Sequence, residues 1–300
     1  MRKLFFAILT INLTLGLFCL IPISAQYKDT ITINADGSIV PSSAPIQRVG
    51  NTYTLKSNLT EPLIVQKNNT FLDGCGNSLF GQGTEFMWGE LSLNHVSNVT
   101  LQNFYILFNN AQTIGILLNA SSNVVVTNNT LLGFESLEAV FVGGGSYTGI
   151  LVSGGYSNLI MGNNLTSNLN GITVIGSSNN QIVGNNIVGN SKYVPVGHVG
   201  VRFESASNNI VYHNNFVNST ALVDSVSINL WDNGFPSGGN YWSNYLEGYS
   251  NVSEIDNSGI GNKQYTIDPR SPQNKDRYPL LDLFNHNFFV LHTTPPKYRL

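Results

Sequence analysis

The stretch NLIMGNNLTSNLNGITVIGSSNNQIVGNN, residues 158–186, contains one short pattern twice. In each copy an Asn is followed by mostly apolar residues and by a second Asn five positions on. The pattern occurs five times in the chain, and its copies begin at Asn98, Asn123, Asn158, Asn180 and Asn209. A glycine precedes each copy and leads into another apolar run; these glycines are Gly89, Gly115, Gly149, Gly171 and Gly200. Each unit is therefore predicted to contain two short strands and their turns.

The spacing of the repeats predicts how the units stack. The shortest interval, from Gly149 to Gly171, suits one coil of a parallel β-helix, in which stacked neighbours bury a shared apolar face. Two longer intervals contain insertions, within residues 131–147 and 192–198, and solenoids commonly place binding sites on such loops along one wall. The chain is predicted to be an all-β, single-domain solenoid with its coils over residues 63–230.

Alternation along each unit predicts which side chains enter the core. The inward set lies two positions after the first Asn of each copy: Thr100, Val125, Ile160, Ile182 and Val211. The second Asn of each copy is predicted to form an Asn ladder at one turn, because Asn tolerates left-handed backbone and its amide can bond the next coil. The ladder set is Asn103, Asn128, Asn163, Asn185 and Asn214.

Charge and cysteine content limit the partners and the compartment. Charged residues make up 10% of the chain and the net charge is -3. No Lys/Arg cluster lies beyond the N-terminus, which argues against nucleic acid as a partner. Cys75 would be the single cysteine of an exported chain, so an internal disulfide is not expected.

The first 25 residues have the pattern of a secretory signal peptide, with Arg2 and Lys3 before an apolar run and a small-residue exit at Ala25. A retained N-terminal anchor is the alternative, since the run is nearly long enough to span a bilayer. No later segment is long and apolar enough to do so. The protein is predicted to be secreted, either extracellular or periplasmic and cell-surface.

The segment WDNGFPSGGNYWSNY, residues 231–245, follows the last repeat directly. A solenoid has an open apolar end, so residues 231–283 are predicted to form a C-terminal cap and residues 26–62 an N-terminal one. The final residues, 284–300, are predicted to be a disordered tail. The alternative is that Trp231, Trp242 and Tyr245 stack on sugar rings.

From about residue 60 to 280 the chain resembles the NosD-like right-handed parallel β-helix proteins, whose repeats are shared with carbohydrate-binding and sugar-hydrolysing domains. Its C-terminal series resembles a subset of mostly archaeal cell-surface proteins: WDNG at 231–234, PSGGNYWS at 236–243, GIG at 259–261, YTID at 265–268 and YPL at 278–280. The resemblance implies a right-handed parallel β-helix. It also suggests a copper-delivery role, which needs closely spaced His, Met or Cys.

The residues that catalysis or copper would need are sparse. No Asp lies between Asp73 and Asp224, although sugar-active β-helices use converging carboxylates. An enzyme would have to rely on the candidates Glu135, Glu138, Arg202 and Glu204. His198 and His213 are the histidines that could meet across a coil, but their spacing is not that of a metal motif. We therefore predict no cofactor and no metal.

The sequence favours an exported, non-catalytic β-helix that binds glycan or a cell-envelope protein. A polysaccharide-active enzyme, as a hydrolase, lyase or epimerase, is the first alternative. A NosD-like periplasmic metal-delivery protein is the second.

Overall fold

The computed structural model describes residues 30–81, 89–108, 114–133, 148–189 and 199–285. Three long sheets run along the molecule, and each successive coil adds one strand to each of them. The pairing between coils is parallel, for example Ile150 with Ile172 and Ile172 with Val201. The chain is therefore a right-handed parallel β-helix, as predicted.

The strands of the first sheet are β1 (Ile31–Ile33), β2 (Ile39–Val40), β5 (Leu63–Val65), β8 (Gly89–Asn94), β11 (Ile114–Asn119), β14 (Thr148–Ser153), β17 (Asn170–Ile175), β20 (Val199–Glu204) and β23 (Thr220–Val223). The strands of the second sheet are β3 (Ile46–Val49), β4 (Thr52–Leu55), β6 (Thr70–Asp73), β9 (Val99–Gln102), β12 (Val125–Thr127), β15 (Leu159–Met161), β18 (Gln181–Val183) and β21 (Ile210–Tyr212).

The strands of the third sheet are β7 (Ser78–Gly81), β10 (Tyr105–Phe108), β13 (Thr130–Gly133), β16 (Asn164–Thr166), β19 (Asn186–Val188), β22 (Asn215–Val217) and β24 (Tyr241–Trp242). A short antiparallel pair, β25 (Tyr265–Thr266) and β26 (Lys275–Asp276), and a one-turn helix, α1 (Tyr245–Gly248), lie at the C-terminal end. Each of the four ranges outside the described residues in the coil region follows a third-sheet strand and precedes a first-sheet strand. The predicted insertions fall mainly in these ranges.

The coils extend beyond the predicted boundaries at both ends. Strand β1 already pairs in parallel with β5, so the first coil begins near Ile31, inside the segment assigned to the N-terminal cap. At the other end β24 pairs in parallel with β22, which makes part of the predicted cap one further coil. The sequence predicts that Phe284 lies in the disordered tail, but its backbone N–H donates to Asn215 Oδ1 at 2.7 Å and its carbonyl accepts from Asn215 Nδ2 at 3.0 Å.

A buried Asn ladder exists, but its first members are displaced by one residue from the prediction. In this ladder, called the first ladder, each side-chain amide donates to the side-chain oxygen of the next member at 2.9–3.0 Å, and its members are Asn129, Asn163, Asn185, Asn214 and Asn240. The predicted members Asn103 and Asn128 instead occupy the preceding column, whose residues all have positive φ: Asn103, Asn128, Gly162, Gly184 and His213. One column therefore has the left-handed backbone conformation, and the next column along the chain makes the side-chain amide hydrogen bonds of the ladder.

The same displacement moves two of the predicted inward residues to the outer face. Leu101 and Val126 are fully buried, whereas their neighbours Thr100 and Val125 are half-buried and point outward. The other three predicted inward residues, Ile160, Ile182 and Val211, are fully buried.

A second buried ladder lies at the turn between the first and second sheets. Its members are Asn158, Asn180, Asn209 and Asn229, with amide-to-oxygen distances of 2.8–3.0 Å. In both ladders the backbone N–H of each member also donates to the side-chain oxygen of the next member, so the backbone N–H of the last member needs another acceptor. Asn274 accepts from the backbone N–H of Asn229, and Asp276 accepts from that of Asn240.

The neighbours Asn128 and Asn129 provide a matched test of the two columns. Replacing Asn129 by alanine is expected to cost about 3 kcal/mol of unfolding free energy, because the buried N–H of Phe104, 3.0 Å from Asn129 Oδ1, loses its acceptor. Replacing exposed Asn128 by glycine should change the free energy of unfolding by less than about 0.5 kcal/mol, since glycine adopts positive φ readily. Chemical denaturation measures both. Similar losses at the two positions would contradict this division of roles.

Candidate functional site

The three aromatic residues considered for sugar stacking lie in the core. Trp231, Trp242 and Tyr245 are at most 1% exposed, so none offers a ring face to a ligand. The stacking interpretation does not agree with this burial, and the capping role accounts for the segment. Residues Trp231 and Trp242 occupy inward positions of the last coil, where Trp242 pairs with Phe216 across the third sheet.

Aromatic packing and ladder ends together close the C-terminal end of the core. The Trp242 ring lies between Phe216 and Tyr265, with ring centroids 4.1 and 4.4 Å away and nearly parallel planes. Its indole Nε1 donates to Asp276 Oδ2 at 3.0 Å, and that of Trp231 donates to Asn274 Oδ1 at 3.2 Å. The two indole N–H groups therefore donate to the same two side chains, Asp276 and Asn274, that accept from the last members of the Asn ladders.

The buried Asp276 carboxylate is the unusual group of this cap. Burial raises the pKa of Asp276 to about 7, although hydrogen bonds from Trp242, from the Asn240 backbone and from the Tyr278 backbone oppose that rise. Gly239 is necessary here because a Cβ at this position would overlap the carboxylate. Asp232, a neighbouring carboxylate, is bound by Arg277 at 2.7 Å.

The predicted catalytic set is only partly within the described residues. Arg202 and Glu204 point outward from β20 and form an ion pair of 2.5 Å, with their side chains 43% and 38% exposed. Their cross-strand neighbours include Thr173 and Ile175 on β17, which carry no charge. Glu135 and Glu138 lie outside the described residues.

The candidate copper ligands do not come together in the part of the chain that the structure describes. No group of three His, Cys, Asp or Glu side chains within these ranges is placed to hold a metal ion. His213 Nε2 donates to the Ser237 carbonyl at 2.7 Å, and its ring stacks on Phe284 at 4.1 Å. Burial lowers the pKa of His213, so the ring is neutral at pH 7. His198 lies outside the described residues, and among the residues that the structure does describe no copper site fits.

A cleft that the sequence reasoning missed lies at the turn between the second and third sheets. We call it the Asp73 cleft; its volume is about 420 Å³ and it is lined by Asp73, Cys75, Gly76, Asn103, Phe104, Tyr105, Asn128 and Thr130. The turn between β6 and β7 has four residues, 74–77, whereas the corresponding turns of the next two coils, 103–104 and 128–129, have two. The longer turn forms one side of the cleft.

Hydrogen bonds hold the Asp73 carboxylate in the cleft. Asp73 Oδ1 accepts from the backbone N–H of Cys75 at 2.8 Å and from Asn103 Nδ2 at 3.0 Å. Oδ2 accepts from Gln102 Nε2 at 2.8 Å. Partial burial raises the pKa of Asp73, but the hydrogen bonds outweigh it and leave that pKa below its ordinary value. The carboxylate is therefore ionised at neutral pH.

Residues of the next two coils complete the lining. Asn128 Nδ2 donates to Asn103 Oδ1 at 2.5 Å, which fixes both amides in a chain that ends at Asp73. Tyr105 and Thr130 are paired on the outer face of the third sheet, and Tyr105 is 37% exposed. Thr130 Oγ1 and Asn128 Oδ1 make no hydrogen bond to another described residue. An aromatic ring, an anion and unengaged hydrogen-bonding groups thus share one concave surface.

Comparison with solved structures finds similar chains at low sequence identity. The chain is similar to the Dettilon tailspike protein (gp208), at 15% identity and a TM-score of 0.35 over 60% of this chain and 40% of that one. It is similar to the periplasmic alginate epimerase AlgG, at 15% identity and a TM-score of 0.36 over 56% of this chain and 46% of that one. It therefore spans less than half the length of either.

A third similar structure is the alginate lyase from Paenibacillus sp. str. FPU-7, at 11% identity and a TM-score of 0.23 over 63% of this chain and 78% of that one. None of the curated proteins matches the chain. Among the described residues, no helix has the length and apolar character needed to cross a membrane. Residues 25–247 match the family described as periplasmic copper-binding protein (NosD), and because this match covers well over half of the sequence, the chain belongs to that family.

Proposed function

We propose that the protein is an exported, non-catalytic β-helix that binds glycan or a cell-envelope protein through the outer faces of its coils. The observation that carries the proposal is the chemistry of those faces. The charged side chains that reach solvent from the described parallel strands are Asp73, Arg202 and Glu204, and the last two neutralise each other. The remaining outward positions are amides, hydroxyls and apolar groups.

Such a surface suits a long, uncharged partner better than a polyanion. Strands of neighbouring coils lie about 4.8 Å apart, so the nine strands of the first sheet span roughly 40 Å. Amide and hydroxyl groups bond sugar hydroxyls, while apolar and aromatic side chains pack on sugar C–H faces. The proposal therefore favours neutral glycan over acidic glycan.

A glycan-array screen tests this function. We expect the purified protein to bind a subset of neutral glycans, and we expect binding to change less than about twofold between 0.1 and 1 M NaCl, because few charges contribute and salt screens only charged contacts. A heat-unfolded sample is the control. Absence of binding to every glycan and to cell-envelope preparations contradicts the proposal, as does binding that 1 M NaCl abolishes.

A polysaccharide-active enzyme is the first alternative, and one observation favours it. The Arg202–Glu204 pair is exposed on β20, the strand that follows residues 190–198. Together with Glu135 and Glu138 it would supply the acid–base groups that such an enzyme needs. Release of products from a polysaccharide, abolished by Glu204→Ala, would establish this function.

Metal delivery is the second alternative, and the family description favours it. It requires copper that stays bound in stoichiometric amount through dialysis and is lost on His198→Ala or His213→Ala. The hydrogen bond and ring stack of His213 described above make the binding role the better-supported proposal.

A further inference from the structure

The lining of the Asp73 cleft limits the class of ligand that it can take. No Lys or Arg is among the described residues that line it, so an anionic ligand would place its charge directly beside the ionised Asp73 carboxylate. A metal cation needs several oxygen ligands, but three N–H donors already occupy most acceptor positions of the Asp73 carboxylate, and no other carboxylate is among the described lining residues. Neither charged class fits the groups present.

An uncharged sugar residue fits them. Asp73 Oδ2 accepts a single N–H donor and so has one position left to accept from a sugar hydroxyl, and charge-assisted bonds of this type are stronger than neutral ones. The half-exposed Tyr105 ring offers an apolar face, and Asn128 Oδ1 and Thr130 Oγ1 supply further bonding positions. The volume of about 420 Å³ lies within the range of small-molecule sites, which is roughly 300–1,000 Å³.

We propose that the Asp73 cleft is a subsite for one neutral sugar residue of a glycan. This inference rests on the proposed glycan-binding function and adds its location and ligand class. The hydrogen-bond chain from Asn128 through Asn103 to Asp73 fixes the polar groups before the ligand arrives. A preformed site of this kind needs little reordering on binding, which favours affinity.

The test compares variants of the full protein on neutral glycans that the wild type binds, and on their uronic-acid counterparts, by titration calorimetry. Tyr105→Ala is expected to weaken binding about tenfold, the loss of one ring contact. Tyr156→Ala is the matched control, because Tyr156 is an exposed tyrosine, 56% accessible, in a turn between the first and second sheets. It should leave affinity unchanged.

Asp73→Asn is a second variant, which keeps an acceptor but removes the charge. Wild type should bind the uronic-acid glycan at least about tenfold more weakly than the neutral one, and Asp73→Asn should reduce that difference. If wild type binds glycans and Tyr105→Ala binds them equally well, the cleft is not the subsite, although the binding function stands. If wild type binds no glycan in either form, the binding function itself fails for glycans.

Discussion

Replacing Trp242 by alanine is expected to lower the free energy of unfolding by about 4 kcal/mol. The ring is 1% exposed and lies between Phe216 and Tyr265, so alanine leaves a cavity at the end of the core. The change also removes one of the N–H groups that Asp276 accepts from. Chemical denaturation followed by circular dichroism measures the loss.

Phe235 provides the control for this variant. It is an aromatic residue of the same segment but is 46% exposed, so Phe235→Ala should cost less than about 1 kcal/mol. If Trp242→Ala cost no more than Phe235→Ala, Trp242 would not be part of the closed core, and a ligand role for its ring would have to be reconsidered.

Stability is also expected to fall as the pH rises from about 4 to about 7, because of Asp276. The folded pKa of Asp276, about 7, lies above the ordinary value of 3.8, so in this window the folded state binds more protons than the unfolded state. The stabilisation is fully present below the unfolded pKa and is lost as the pH passes the folded one. The upper limit of the loss is about 4 kcal/mol.

Asp276→Asn isolates this contribution, because asparagine carries no titratable proton and keeps an acceptor for the Trp242 indole. His213 titrates in both proteins, so its effect cancels in the difference. We expect the wild-type unfolding free energy to decline relative to that of Asp276→Asn between about pH 4 and pH 7. Parallel curves would show that the Asp276 carboxyl has an ordinary pKa in the folded state.

The repeat predicted the architecture because its information is local and recurs. Apolar alternation and turn-forming Gly and Asn are readable in a single unit, and the 22-residue interval from Gly149 to Gly171 is readable from two neighbouring units. The parallel pairing of Ile150, Ile172 and Val201 confirms the stacking. The prediction of an aromatic cap is also confirmed, because Trp231 and Trp242 follow the last unit and are buried.

The register was wrong by one residue in the first two units, because two adjacent columns are both rich in Asn. Asn128 and Asn129 are identical in type, yet one has positive φ and the other belongs to the first ladder. The sequence held a signal that separates them: Gly162 and Gly184 occupy the left-handed column in later coils. Glycine and Asn alternate where positive φ is required, whereas glycine cannot supply a ladder amide.

The Asp73 cleft could not be predicted from the repeat, because it depends on a difference between coils. The turn at 74–77 is two residues longer than the turns at 103–104 and 128–129, and Tyr105 lies beside this longer turn. The cleft lies between them. Comparing turn lengths across aligned units would have indicated the position. The chemistry of the lining, including the bonds to Asp73, required the side-chain geometry.

An assay for glycan binding and for reducing-end products in the same wells, over neutral and acidic polysaccharides, separates binding from catalysis. Non-catalytic binding predicts that wells with bound protein contain intact glycan and no new reducing ends. Release of new reducing ends by the wild type, abolished in Glu204→Ala, would contradict it and identify the protein as an enzyme.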